Sequence, residues 1–145
     1  MDLERLDELF QQLNELTGVR DIAYHEIKDG RLSPVLKTNT DVLGVEKWRS
    51  VHAQSPVYVE HDKLLSEMMR EPRALAVQDV KNDPRSADEF FLFGIDSILI
   101  LPVLNNRVVR GIVAVASIGG LHEFTEEEIR KAELLLERYR SVFQT

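Results

Sequence analysis

The sequence predicts an α+β domain, with a central antiparallel sheet flanked by an N-terminal and a C-terminal helix. Three features carry this expectation. Residues 2–16 repeat apolar side chains at spacings of three and four, the period of a helix with one buried face. Ser97–Leu104 and Val108–Ile118 are two Val/Ile/Leu-rich runs joined through Asn105-Asn106, a pairing that suits a β-hairpin. Thr125-Glu126-Glu127-Glu128 then opens a last helix as a capping box, with its acids at the positive end of the helix dipole. No internal repeat, low-complexity stretch or long linker divides the 145 residues. A single domain over 1–145 is therefore expected, as a helix over 1–16, sheet and crossover over 17–121, and a helix over 122–145.

In chain order, Leu3, Leu6, Leu9, Phe10, Leu13 and Leu16 define the first helix, and Gly18 is its stop signal. Val19–Lys28 suits a strand, Asp29-Gly30 a tight turn, and Arg31–Lys37 the returning strand. Pro34 puts that return at a sheet edge, because proline cannot donate to a ladder. Residues 38–56 show no clear period. Val57–Glu60 is expected as a short strand, Lys63–Arg70 as a short helix ended by Pro72, and Leu75–Val80 as a strand. Asp83 can cap a further helix with Pro84 in its first position, ended by Gly94. The near-continuous apolarity of 97–104 and 108–118 marks central strands covered on both faces. Gly111 in the second suits close approach of a neighbour, and Pro102 marks a break or edge in the ladder.

Charge narrows the function classes. The net charge of -7 is unevenly placed: residues 1–16 hold five acids and one base, residues 122–145 six acids and four bases, and residues 17–121 fourteen acids and thirteen bases. Without a clustered Lys/Arg face, nucleic acid is not an expected partner. There is no cysteine, which excludes disulfides, Cys-ligated zinc or iron–sulfur clusters and a thiol nucleophile. The acidic start MDLERLDELF is no signal peptide, and no apolar run approaches the ~20 residues of a membrane span, so a cytoplasmic protein with no membrane partner is expected.

Catalytic patterns are missing. His25, His52, His61 and His122 have no second histidine at i+3 or i+4, so no metal site is expected. The glycines lack the Lys-Ser/Thr of a phosphate loop. No nucleophile–base pair stands out, and the reading is not an enzyme. His25 sits on an expected strand, where it either points into a pocket or is an ordinary hydrogen-bonded histidine.

Several motifs together resemble the GAF domains, sensory modules of the PAS-like α/β class. Ser97-Ile-Leu-Ile-Leu-Pro102-Val103 followed by Gly111-Ile-Val-Ala-Val resembles the family's second hairpin, and Phe124-Thr125-Glu126-Glu127 its entry to the last helix. Val77-Gln78-Asp79-Val80 with Asp83-Pro84-Arg85 is similar to a segment that precedes them. The individual motifs are loose, and their order and spacing carry the likeness. It implies a regulatory sensor that binds a small molecule, standing alone or joined to an output domain such as that of a histidine kinase, diguanylate cyclase or transcription regulator. The lack of cysteine removes sulfoxide-reductase chemistry and covalent bilin attachment, and Asp88-Glu89 alone does not reproduce the cyclic-nucleotide pattern. No cofactor is expected, with noncovalent haem on one histidine left open. The alternative is a ligand-free dimerisation or protein-interaction module.

The resemblance places a ligand between the sheet and the crossover, residues 38–95. From that segment and the strand that follows, the expected ligand-binding residues are Trp48, Tyr58, Met68, Asp79, Arg85, Phe91 and Ser97, since ligand pockets combine apolar and aromatic walls with a few polar groups. The last helix shows a heptad seam, Ile129, Ala132, Leu136, Tyr139 and Phe143, and the first helix is apolar over more than one stripe. A homodimer through Leu3, Leu6, Phe10, Leu13, Ile129, Leu136, Tyr139 and Phe143 is expected. The alternative is that the first helix covers only its own sheet and last helix.

Overall fold

A computed structural model describes residues 1–144. Helix α1, Leu3–Thr17, starts where the Asp2 carboxylate accepts the Arg5 N–H at 3.1 Å and stops at Gly18, whose φ of 77° a side chain would resist. The strands are β1 (Asp21–Lys28), β2 (Arg31–Lys37), β3 (Leu75–Val77), β4 (Ile95–Asn105) and β5 (Val108–Ile118). They form one antiparallel sheet in the order β2-β1-β5-β4-β3. Both tight turns have two residues with positive φ, Asp29-Gly30 and Asn106-Arg107, which matches the twist of a two-residue hairpin. Pro34 does lie on an edge strand, and Pro102 lies beyond the reach of the short β3.

Strand alternation sorts the side chains into two cores. Ile22, Tyr24, Leu99, Leu101, Val113 and Val115 face α1 and the last helix, α5 (Glu126–Arg138). Ala23, Ile98, Ile100, Ile112 and Ala116 face the crossover, which carries α2 (Val45–Gln54), α3 (Lys63–Arg70) and α4 (Asp88–Leu92). The molecule is a three-layer stack, with the sheet buried on both sides as its near-continuous apolar strands require. Among the described residues, no helix is long and apolar enough to cross a membrane.

Four local expectations are corrected. Residues 45–54 of the aperiodic segment form α2, because Val45, Trp48 and His52 share one face and the Asn39 side chain receives the Val45 N–H. Val57–Glu60 is not a strand: Tyr58 makes a single bridge to Arg31, and Val59–His61 is a 3-10 turn. Asp83 does not cap a helix, since its carboxylate is taken by the backbone N–H and guanidinium of Arg85, and α4 begins only after Ala87. The heptad seam is broken too. α5 ends at Arg138 and a 3-10 turn over Arg140–Phe143 lays Val142 into the core and Phe143 against Tyr24, with ring centroids 4.8 Å apart.

Candidate functional site

Between the sheet and the crossover lies a cavity of about 60 Å³. Its floor exists because small residues meet at the sheet centre: Ala23 pairs with Ala114 and Asp21 with Ala116 across β1 and β5. Its roof is Leu43, Trp48, His52, Leu65, Phe90 and Phe93. A water-sized sphere needs roughly 10–15 Å³ by the same measure, so the space fits a few heavy atoms. Ligand pockets for larger molecules run to roughly 300–1,000 Å³.

Three polar pairs line this apolar space. Asp21 and Lys37 form a buried ion pair with Nζ to Oδ1 at 2.7 Å, their side chains 6% and 2% exposed. Lys37 also donates to the Thr38 carbonyl at 2.8 Å, and the Thr40 hydroxyl donates to the same Asp21 oxygen at 2.6 Å. Burial lowers the Lys37 pKa, partly offset by the hydrogen bond and charge of Asp21.

The second pair is His25 on β1 and His52 on α2, whose Nε2 atoms are 3.1 Å apart. Trp48 stands edge-on to both rings at 5.3 and 5.8 Å, and Phe93 lies 5.4 Å from His52. One ring donates to the other, so at least the accepting ring is neutral. Burial pushes the His52 pKa down to about 4, and burial with the neighbouring His52 lowers that of His25 well below its usual value. His25 Nδ1 is buried without a hydrogen-bond partner. Such an unmet group costs about 1–3 kcal/mol.

The third pair is Asp62 and Glu89. Asp62 caps α3, its Oδ1 accepting the Leu65 N–H at 3.1 Å. Glu89 on α4 is pushed up to about 8, by burial first and then by its hydrogen bond to Asp62 and the charges of Asp62 and Asp88. Burial beside a second carboxyl thus favours the protonated form of Glu89.

These shifts set a stability profile. Between pH ~4.5 and ~8 the folded chain keeps a proton on Glu89 that the unfolded chain has lost, so this group's stabilisation disappears as pH rises through that window. The two histidines act oppositely: below pH ~6.5 the unfolded chain takes up protons that the folded chain refuses, so stability falls with falling pH. The site's contribution peaks near pH ~6.5. Urea titrations are expected to show about 1–2 kcal/mol lost between pH ~6.5 and ~8.5, and Glu89→Gln to flatten that limb while the acid limb, no longer opposed by Glu89, steepens.

Of the residues expected from the sequence to bind ligand, Trp48 lines the cavity. Met68 is buried in the same core without reaching the cavity wall. Tyr58 and Phe91 are 44% and 56% exposed. Asp79 accepts from Asn82 at 2.7 Å, and Arg85 binds Asp83 and the Ala76 carbonyl. Ser97 is fully buried, donating to the Gln78 carbonyl and accepting the His122 N–H, which ties β4 to the start of the last helix segment. The structure thus gathers Asp21, His25, Lys37, His52, Asp62 and Glu89 around Trp48 instead. His25 and Asp21 were findable, since they alternate with Ile22 and Tyr24. Lys37, Asp62 and Glu89 carry no local signal.

The expected interface residues also separate. Leu6, Phe10 and Leu13 are 0–1% exposed within one chain and have no surface to offer a second copy. Ile129, Leu136, Tyr139 and Phe143 are half-buried against their own sheet and helix, and Leu3 is 51% exposed.

The family comparison agrees with this architecture. The family model for the GAF domain matches residues 3–138, so the chain belongs to the GAF domain family. Solved structures with the same fold include the GAF domain/HD domain protein from Geobacter sulfurreducens, at TM-score 0.78 and 20% identity over 96% of this chain and 89% of that one. The photoproduct state of GAF3 from Synechocystis gives TM-score 0.77 and 16% identity over 98% and 93% of the two chains. A domain of a putative two-component sensor histidine kinase from Sinorhizobium meliloti gives TM-score 0.70 and 15% identity over 99% and 92%. No curated protein matches in sequence.

Proposed function

We propose that this GAF domain is a sensory module in signal transduction, whose ligand site is the cavity beneath α2 and α4. The observation that carries the reading is an apolar cavity with a buried histidine nitrogen that no protein group satisfies. Solved neighbours from a sensor kinase and from a photoproduct-state domain support a regulatory role. The cavity lining has no hydroxyl or thiol, and its one lysine is held by Asp21, which favours binding over catalysis.

The route from ligand to output runs through β1. His25 and Ala23 face the cavity, while Tyr24 between them faces the helices and packs on Phe143 beyond α5. A guest that shifts β1 changes the seat of the helical layer, and coupling follows from unequal affinity for the two arrangements. Leu16, Leu134 and Leu135 line a groove on the outer side of α1 and α5, with Leu134 55% exposed, and a homodimer through that side would receive the change. The output domain is either fused or a separate partner.

A second reading, a ligand-free dimerisation module, draws on the small volume of the cavity. A thermal-shift panel of nucleotides, amino acids, amines and inorganic anions separates the two, since a specific ligand raises the melting temperature by mass action. At least one compound is expected to do so while changing Trp48 fluorescence; none doing so would support the second reading. Sedimentation is expected to show a dimer that Leu134→Glu dissociates, and a monomer of the parent chain at tens of micromolar would remove the dimer.

A further inference from the structure

The walls of the cavity have a charge pattern that selects among ligands. Its lining contains three carboxyl groups, on Asp21, Asp62 and Glu89, and one cationic side chain, Lys37. Lys37 is neutralised by Asp21 in their buried pair. What remains unmatched are the Asp62 and Glu89 carboxyls, for which the lining holds no second lysine or arginine. An anion entering this space would meet no free cation.

The position of that pair matters as much as its sign. Asp62 and Glu89 line both the buried cavity and a separate groove on the outer surface, between the 3-10 turn at Val59–His61 and α4. They form the wall between solvent and interior. Behind them, Trp48, His52 and Phe93 stand as neighbouring aromatic rings, and aromatic faces attract cations that lie against them. His25, whose Nδ1 is buried without a hydrogen-bond partner, lines the same cavity.

We propose that the cavity is a receptor for a small protonated alkylamine, whose ammonium group lies against the Asp62 and Glu89 carboxyls and whose alkyl part lies among Trp48, His52 and Phe93. This rests on the sensor reading and names the ligand class of the same site. The exchange is balanced: the proton on buried Glu89 leaves to solvent as the ammonium arrives, and the charge of the site is conserved. The volume of about 60 Å³ sets the size at two or three carbons and the nitrogen. Neutral imidazoles at His25 and His52 add no opposing charge.

Isothermal titration of the full chain with ethylammonium, ethanol and propionate tests this, in two buffers of different ionisation enthalpy. Ethylammonium alone is expected to bind, at one per chain, with release of up to one proton. Its affinity is expected to rise by up to about tenfold per pH unit below pH ~8 and to level off above it, following the Glu89 carboxyl. Glu89→Gln is expected to bind at least about tenfold more weakly at pH ~8.5 and without proton release. The proton count on the parent chain reads the proposal even if that variant folds poorly. Equal binding of ethanol or propionate, binding without proton release at pH ~7, or no binding of ethylammonium would overturn it. If ethylammonium fails while another compound of the panel raises the melting temperature and changes Trp48 fluorescence, the amine is wrong and the sensor stands. If nothing binds, both fall.

Discussion

Lys37→Met is expected to lower the stability of the domain by about 3–5 kcal/mol, read as a fall in the urea midpoint with an unchanged slope. The cause is the partner left behind. Asp21 is 5% exposed and its carboxylate faces an apolar cavity, where the Thr40 hydroxyl would be its remaining side-chain donor. Lys37 itself is spared a charge in oil only because Asp21 and the Thr38 carbonyl receive its ammonium. Two charges are tolerable together and neither is tolerable alone. The double variant Asp21→Leu with Lys37→Met is therefore expected to be more stable than Lys37→Met alone, since apolar replacements of a buried ion pair are often neutral or stabilising. A double-mutant cycle giving simple additivity would show that the pair is not coupled.

Gly111→Val should have the next largest effect. A Cβ placed on Gly111 would stand 2.7 Å from the His25 carbonyl oxygen and 2.7 Å from Tyr24 Cε1. The first is backbone of the paired strand and cannot swing aside. The second belongs to a ring 2% exposed and packed at a tilt against Phe143, so yielding there disturbs the contact between sheet and helical layer. Alanine alone is expected to cost about 1–3 kcal/mol, and valine more. At roughly 2–4 °C of melting temperature per kcal/mol for a domain of this size, the valine variant should melt at least several degrees lower. Phe143→Ala is the control: it vacates the space into which Tyr24 would move, so the cost of Gly111→Ala is expected to shrink in that background. Differential scanning calorimetry on the four proteins reads both effects.

Local pattern made much of the architecture legible. The period of Leu6, Leu9, Phe10 and Leu13, the hairpin signals at Asp29-Gly30 and Asn105-Asn106, and the Thr125 cap each concern neighbours in sequence, and the helix, the first turn and the cap formed as expected. The Asn105-Asn106 hairpin is displaced by one residue, to Asn106-Arg107. Helix α2 was missed because its apolar face holds Trp48 and His52, which a hydrophobic count scores weakly. The break after Arg138 was missed because Tyr139 and Phe143 continue the heptad on paper, while Phe143 is recruited by Tyr24 from another strand.

The site was legible only in part, for a physical reason that Glu89 illustrates. Beside Asp88 in the sequence it looks like one more acid on a solvated turn. Its raised pKa comes first from burial under the crossover and then from Asp62, 27 positions away in the sequence. His25 and His52 are likewise 27 apart, and Lys37 and Asp21 16 apart. By itself the sequence determined what depends on near neighbours: the periods, turns and caps, and with them the order of layers. It also held the acidity of the two ends, while the body stayed near neutral. The tertiary structure decided which charges face one another inside that neutral body. Burial and low local dielectric act only once distant segments meet, and there they turn ordinary Asp, Glu, His and Lys into three interdependent pairs around one small cavity.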